Sequence, residues 1–321
     1  ILVDSVWHTI LIGQYGEEII FEESLGMLTT GLYVPIAMVL PYIIAFYFML
    51  SILEDTGYMP RLATLVDNVF HKLGMHGHGI ISVFLGLGCN VPGALSTRSL
   101  ETRKQRFISA TLLSIAVPCM AQTAMVFGVL GQFGVIYLAM VFFVLAILYI
   151  LLGIIMNHFV KGNSPEIFLE VPPYRMPSLQ ALLKKTWMRI RWFLKEAIPF
   201  LFFGVLLINI LYHIGVMQLI SQSLTPFMNT FFGLPGEATT SLVIGFLRKD
   251  LAVGTLIPLQ LSAFQLVIAV TMLTIYFPCM ATFAVLLREL GIKDLIKSTM
   301  LMIATAGSVG IILRLVLLGF P

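Results

Sequence analysis

Long hydrophobic stretches, separated by short polar segments, dominate this sequence of 321 residues. A run of about twenty apolar residues is the length that an α-helix needs to cross a membrane. Strong candidates for such spans lie at residues 27–53, 107–130, 134–157, 196–217, 262–287 and 298–319. Because a helix satisfies its own backbone hydrogen bonds in lipid, the pattern predicts an all-α, polytopic transmembrane domain over residues 1–321.

Two further apolar segments, 79–97 and 238–258, are shorter and are interrupted. Glycine and proline break the first, and the charged run Arg248-Lys249-Asp250 lies in the second. Irregular backbone is tolerated at membrane depth only where it is buried in protein or lines a cavity. We therefore predict two broken or re-entrant helices.

Composition agrees with a membrane protein and excludes several other classes. Hydrophobic side chains make up 59% of the chain and charged ones 11%, with a mean hydropathy of +0.98; soluble domains carry about 25% charged residues. The formal net charge of +3 gives no indication of nucleic-acid binding. Three cysteines without CxxC spacing predict neither a disulfide framework nor a zinc site. The GxxxxGK[ST], HExxH and GxSxG motifs are absent from the sequence, so we do not expect an enzyme.

The basic residues predict which side of the membrane each loop faces. If the two broken segments do not cross, sixteen of the nineteen Lys and Arg residues fall on one side. Cytoplasmic loops collect such residues, so this side is expected to be the cytoplasm and the acidic N-terminal stretch to lie outside. The chain begins Ile1-Leu2-Val3, and we interpret it as part of a longer protein.

The polar linker 159–195 is expected to be cytoplasmic. Its stretch from Ser178 to Lys195 is amphipathic and contains Trp187 and Trp192. Tryptophan and basic residues are typical of a helix at the membrane interface. This stretch therefore predicts a surface-lying anchor helix, with a docking site for a partner domain as the alternative.

The chain contains an internal repeat at an offset of 158 to 160 residues. Five matches occur in the same order in both copies: Leu40-Pro41-Tyr42 with Ile198-Pro199-Phe200, Gly57 with Gly215, Gly74–Gly77 with Gly233–Gly236, Leu85-Gly86 with Ile244-Gly245, and Pro118–Ala121 with Pro278–Ala281. We predict repeat 1 at about 33–158 and repeat 2 at about 196–319. Each repeat has an odd number of crossings, so the second copy is expected to be inverted, as in secondary transporters with a midplane site.

Cysteines mark the irregular positions. Cys119 and Cys279 each follow a proline and precede a methionine, Met120 or Met280, and both lie near the expected middle of the membrane. Cys89, followed by Asn90, lies in the first broken segment. Thiolate and thioether are soft ligands suited to transition metals, although cysteine also packs as a small hydrophobic side chain.

Charged residues suggest two further roles. Glu54 and Asp55 end the first span and are either solvated or receive a cation at the inner mouth. The run Arg248-Lys249-Asp250 stands where the first repeat has Cys89-Asn90-Val91, and it is expected to form an internal ion pair or to gate the path. His71, His76 and His78, on the polar linker after the first span, are expected to be solvated, with a weak metal-collecting site as the alternative.

Several motifs together resemble the membrane domain of the ferrous iron transport protein B (FeoB) family. They are Leu53–Arg61, the GCNVP segment Gly88–Pro92, Thr97–Glu101, the PC motifs at Pro118 and Pro278, Gly245–Asp250 and Arg288–Gly291. The resemblance covers nearly the whole chain, although the paired gate repeat is shared with nucleoside transporters. One departure concerns Cys119, since many members carry a longer cysteine-bearing motif where this chain has PCMAQ.

The resemblance implies a multi-pass protein of the prokaryotic inner membrane that imports Fe²⁺ as its transported substrate, with no permanently bound cofactor. It implies that Cys89, Cys119 and Cys279 line the ion path. Our hypothesis adds Asn90, Met120 and Met280 as auxiliary ligands, with Glu54 and Asp55 receiving the ion near the cytoplasm. Expected partners are an N-terminal GTP-binding domain, small cytoplasmic iron-transport accessory proteins, the lipid bilayer and further copies of the chain, but no nucleic acid. The alternatives are a nucleoside transporter, a transporter of another divalent metal and a membrane scaffold.

Overall fold

The computed structural model describes residues 40–160, 176–191 and 261–317, with single residues and short pieces elsewhere, chiefly between 194 and 259. These ranges contain helices and turns and no β-strand. The N-terminal stretch, the predicted span 196–217 and most of the second broken segment lie outside the described residues.

The helices of the described part follow in chain order. They are α1 (Leu40–Asp55), α2 (Tyr58–Lys72), α3 (Gly79–Gly88), α4 (Asn90–Ser96), α5 (Arg103–Ala116), α6 (Met120–Leu130), α7 (Val135–Phe159), α8 (Ala263–Ile275) and α9 (Met280–Leu317). Residues 179–191 are also helical. The chain forms two compact units, one of Ile1–Thr56 with Arg175–Ile220 and one of Gly57–Tyr174 with Ser221–Pro321.

In the first unit, α1 packs against the helical stretch 179–191. The hydroxyls of Ser51 and Thr186 lie 3.5 Å apart and are buried. Each acidic residue at the end of α1 pairs with a base of the stretch: Asp55 with Lys185, and Glu54 with Arg189 at 2.6 Å. The predicted amphipathic helix is therefore present over 179–191.

The exposed face of this helix carries large apolar side chains. Trp187 is 67% exposed, whereas Leu182 and Ile190 on the other face are buried. An exposed tryptophan beside basic residues is typical of a membrane-interface anchor. Trp192 lies outside the described residues.

In the second unit, three helical segments of the described part are long and apolar enough to cross a membrane: Arg103–Leu130, Val135–Phe159 and Ala263–Leu317. The segment Val135–Phe159 matches the predicted span 134–157. The other two are interrupted where the sequence places its Pro-Cys motifs, at 117–119 and 277–279. The prediction of an all-α polytopic membrane fold is confirmed.

The first broken segment is a pair of short helices joined at one residue. Helix α3 ends at Gly88, Cys89 is extended (φ −153°, ψ 131°), and α4 begins at Asn90. A Cβ on Gly93 would lie 2.9 Å from the backbone of Gly86, so the two helices touch through their glycines. The hydroxyl of Ser96 also donates to that of Ser82 at 2.8 Å. The prediction of a broken helix at 79–97 is confirmed.

The same local structure occurs twice at the predicted offset. Gly74 and Gly233 both have a positive φ, 81° and 66°. A Cβ on Gly86 would meet Leu113 at 2.1 Å, and a Cβ on Gly245 would meet Leu273 at 2.8 Å. Since Leu113 and Leu273 are themselves 160 residues apart, both the chain direction at the turn and the packing of the broken helix are repeated.

Two ion pairs hold α9 on either side of a bend. Gly291 is non-helical (φ 76°, ψ 167°) and divides α9. Before the bend, Arg98 Nε lies 2.8 and 2.7 Å from the carboxylate oxygens of Glu289. After it, an Arg103 guanidinium nitrogen lies 2.8 Å from Asp294. All four charged residues lie in segments that the sequence places on the cytoplasmic side.

His76, in the turn between α2 and α3, is buried, although a histidine on a polar linker is expected to be solvated. His76 is 2% exposed, and neither ring nitrogen has a hydrogen-bond partner among the described residues. Gln105, also buried, lies beside it. Burial lowers the pKa of His76, and the neighbouring His78 lowers it further, against smaller opposing effects of Glu101 and Asp67. The prediction of a solvated His76 is therefore wrong.

A histidine that stays neutral in the fold makes stability depend on pH. Below about pH 6.5 the unfolded chain takes up a proton that folded His76 resists, so the fold loses stability as the pH falls. We expect the melting temperature in detergent to drop between pH 7.5 and 5.5, and to drop less in His76→Gln. His158→Gln, which removes an exposed histidine from α7, is the matched control. Equal drops in the parent and in His76→Gln would contradict the assignment.

Candidate functional site

All three cysteines stand directly before the first residue of a helix. Cys89 precedes α4, Cys119 precedes α6 and Cys279 precedes α9. Their carbonyl oxygens accept the first helical hydrogen bonds, from the amides of Gly93, Thr123 and Phe283 at 3.3, 2.9 and 2.9 Å. The sequence predicted cysteines at breaks, but it did not predict that each one would occupy the N-cap position.

Proline explains why two of these helices begin where they do. Pro118 and Pro278 lack the backbone N–H that would continue α5 and α8, so each helix stops and a new one starts after the cysteine. The residue three positions later completes the cap. The amide of Cys119 donates to Gln122 Oε1 at 3.0 Å, and Cys279 Sγ lies 3.2 Å from Thr282 Oγ1. A polar residue at this spacing is a capping signal that sequence reasoning missed.

The structure brings the three predicted cysteines into one region. Cys89 is close enough to Cys279 and Cys119 to interact with both electrostatically. None of the three takes part in a disulfide bond, and each is partly exposed. Among the described residues, however, no three His, Cys, Asp or Glu side chains come close enough together to hold a metal ion. The thiols therefore border a common region without forming a closed coordination sphere.

Asn90 places a polar group beside these thiols. Its side chain is 6% exposed, and Nδ2 donates to the carbonyl of Val117 at 3.4 Å. Its Oδ1 has no hydrogen-bond partner in the described part of the chain, and neither has Nε2 of the buried Gln122. Unsatisfied buried polar atoms are rare in folded proteins and mark places where a ligand or water binds. The oxygen of Asn90 is thus available to a cation or its water shell.

Lys249 belongs to the same region. Its side chain is 6% exposed, and Nζ donates to the carbonyl of Thr274 at 2.8 Å. The ammonium also interacts electrostatically with Cys119 and Cys279. Arg248 and Asp250 lie outside the described residues, so the predicted internal ion pair stays a prediction.

The remaining predicted site residues lie elsewhere. Met120 and Met280 are the first residues of α6 and α9, and Met120 is 48% exposed. Glu54 and Asp55 belong to the other compact unit, where Arg189 and Lys185 pair with their carboxylates. Their role as ion ligands stays a prediction.

This arrangement is suited to a soft cation that passes between partners. Thiolate is the form of cysteine that binds metals. Thiols from both repeats provide ligands of the kind that transition metals prefer, and an amide oxygen lies beside them.

Two family models match the chain. The Gate model, described as nucleoside recognition, matches residues 36–133 and 194–293, which together are more than half of the chain. The two matches correspond to the two predicted repeats. The model for the C terminus of ferrous iron transport protein B matches residues 138–189.

Curated relatives carry the same family name. The chain is 31% identical over 310 residues to the Fe(2+) transporter FeoB of Methanocaldococcus jannaschii, covering 84% of this chain and 46% of the relative. It is 28% identical over 301 residues to the Fe(2+) transporter FeoB of Staphylococcus aureus strain COL, covering 82% and 44%. A third match, 32% identical over 162 residues, covers 49% of the chain and 19% of an Fe(2+) transport protein A/Fe(2+) transporter FeoB fusion protein of Porphyromonas gingivalis.

The chain thus spans less than half the length of the first two relatives. No solved structure matches it. The two Gate matches, the match to the FeoB C terminus and the relatives all agree with the motifs found in the sequence. We conclude that the chain belongs to the Gate family and is a membrane domain of the ferrous iron transport protein B type.

Proposed function

We propose that this chain conducts Fe²⁺ across the prokaryotic inner membrane along a path that passes between Cys89, Cys119 and Cys279. The observation that carries the proposal is the placement of these three cysteines at helix starts within electrostatic reach of one another. The helix start fixes the backbone of each cysteine, so only one rotatable bond remains between that backbone and the thiol. Relatives named as Fe(2+) transporters support the choice of iron.

The open arrangement of the thiols suits transport better than storage. A conducting site must bind well enough to admit an ion and weakly enough to release it. Thiols that approach one another without closing a coordination sphere meet this requirement, since a closed cysteine site would retain the metal. Asn90, Met120 and Met280 would complete the ligand set transiently, and Glu54 and Asp55 would receive the ion after their ion pairs open.

Control by a second domain is part of the proposal. Because the first two relatives are more than twice as long as the matched region, we propose that a GTP-binding domain controls the path in the longer protein. The fusion relative from Porphyromonas gingivalis supports a small accessory protein as a further partner.

A nucleoside is the second candidate substrate, because the Gate model is described as nucleoside recognition. A planar base would require aromatic stacking and amide pairing. Tyr276 and Phe277, which precede the second Pro-Cys motif in an edge-to-face pair, could provide the stacking. Three thiols have no role in recognising a base, so we favour the metal.

The proposal predicts Fe²⁺ flux that depends on thiols. We expect the chain, reconstituted in liposomes under anaerobic conditions, to take up Fe²⁺ in preference to Mn²⁺ and uridine, and we expect maleimide treatment to reduce the uptake about tenfold or more. Zn²⁺ tests selectivity, since ligand type alone ranks it close to Fe²⁺. Uridine uptake without Fe²⁺ uptake would assign the nucleoside, and Fe²⁺ uptake that survives thiol blocking would remove the cysteines from the path.

A further inference from the structure

Lys249 and Asn90 occupy equivalent positions in the two repeats. They are 159 residues apart, within the offset of the other matches. Each side chain donates a hydrogen bond to a carbonyl next to its own Pro-Cys break: Asn90 to Val117 and Lys249 to Thr274. The two residues therefore link each broken segment to the helix end beside it.

Proline chemistry explains the bond that Lys249 makes. In an uninterrupted helix the carbonyl of Thr274 would accept from the amide four residues later, which is position 278. That position is Pro278, which has no N–H. The ammonium of Lys249 supplies the missing donor, so it is held at the break rather than extended toward water.

A missing hydrogen bond does not by itself require a charge. In the first repeat the carbonyl that Pro118 leaves without a helical donor is that of Ser114. The neutral Asn90 donates instead to Val117, the residue before the proline. Burying an ammonium costs far more free energy than burying an amide. The first repeat thus forms the same break with a neutral side chain at this position, so the break does not require the charge that the second repeat retains, which indicates that the charge has a use.

The charge lies within electrostatic reach of thiols from both repeats. Lys249 interacts electrostatically with Cys119 of repeat 1 and Cys279 of repeat 2. The corresponding interactions of Cys89 are with the other two thiols. One cation is thus held beside two of the three cysteines.

We propose that Lys249 is a tethered cation that occupies the cysteine region when no metal is present and closes the path to other cations. This inference deepens the proposed function, on which it rests. Like charges a few Å apart in a protein repel strongly, so an entering ion must displace the ammonium from the thiols. A dication that forms bonds to thiolate can do so, whereas K⁺ or Na⁺, which gains little from sulfur, cannot.

The proposal is tested first without any transport measurement. Variants that keep one cysteine each are treated with methanethiosulfonate reagents of similar size carrying a sulfonate or a quaternary ammonium. Near a fixed cation the anionic reagent reacts faster. We expect Lys249→Met to lower the ratio of anionic to cationic reaction rates about tenfold at Cys119 and at Cys279. The ratio at Cys89, the matched control thiol, should change much less, and Lys249→Arg should preserve the parent ratios.

If the thiols react slowly with both reagents, K⁺ leak provides a second measurement. Liposomes containing Lys249→Met should leak K⁺ several times faster than liposomes containing the parent chain or Lys249→Arg. Melting temperatures of the three proteins show whether each is folded. Unchanged reagent ratios in a folded Lys249→Met protein, or an unchanged K⁺ leak, would overturn the proposal. Neither readout depends on Fe²⁺, so these results are separate from a failure of the proposed iron transport.

Discussion

Cys89→Ser is expected to reduce Fe²⁺ uptake into liposomes about tenfold or more while leaving the protein folded. The serine hydroxyl is a much weaker ligand for a soft metal than a thiolate is. Serine is also a preferred N-cap residue, so α4 should start at Asn90 in the variant as it does in the parent. Initial uptake rates, measured anaerobically beside melting temperatures, give both quantities on the same preparation.

Cys89→Ala separates chemistry from helix capping. The Cys89 side chain makes no capping hydrogen bond to α4; alanine only removes the ligand, whereas serine can add a cap worth about 1 kcal/mol. We expect both variants to lose uptake, and the alanine variant to melt at a lower temperature than the serine variant. Uptake at the parent rate in Cys89→Ser would show that this thiol does not lie on the ion path.

Gly93→Ala is expected to destabilise the protein by about 1–3 kcal/mol, because the added methyl group overpacks the contact between α3 and α4. Its Cβ would lie 2.9 Å from two backbone atoms of Gly86 and 2.9 Å from a methyl of Leu113. Backbone atoms cannot rotate away, so the two short helices must separate. Cys89, which joins them, would move, and Fe²⁺ uptake should fall together with the melting temperature.

Gly128→Ala is the matched control for that substitution. Gly128 lies inside α6, and a Cβ there would meet nothing within 4 Å. Replacing a helical glycine by alanine in open space stabilises the helix by roughly 0.5–1 kcal/mol. The two variants carry the same chemical change, so an equal response of their melting temperatures would show that the α3–α4 contact is not tightly packed.

Hydrophobic runs and helix-breaking residues predicted most of the fold that is described. Proline and glycine act within a few residues of themselves, so the breaks at Cys89, Cys119 and Cys279 follow from local sequence. The repeat was recognisable because the same constraints return: a glycine with positive φ at Gly74 and Gly233, and a proline before each capping cysteine. Glycine and proline determine which backbone conformations are possible at their own positions, so these features can be predicted from the sequence.

Contacts between distant segments were harder to predict. Asp55 and Lys185 are separated by 130 residues, and nothing local to either one specifies the other. Residue type suggested a solvated His76, but the turn between α2 and α3 is buried. For Lys249 the sequence suggested an ion pair, whereas its described partner is a carbonyl that Pro278 leaves without a donor. The last of these could have been deduced by counting four residues back from the proline.

The ion pair between Arg98 and Glu289 influences the positions of two thiols that lie nine and ten residues away along the chain. Cys89 lies nine residues before Arg98, and Cys279 lies ten residues before Glu289. A helix is stiff over such lengths, and ten residues extend about 15 Å. The two helical segments, α4 and α9, also pack against each other, with a thiol at the start of each and the ion pair near the other end. The spacing of these two thiols therefore depends on the helix contact and on the ion pair together, and a change at the ion pair is expected to alter it from a distance.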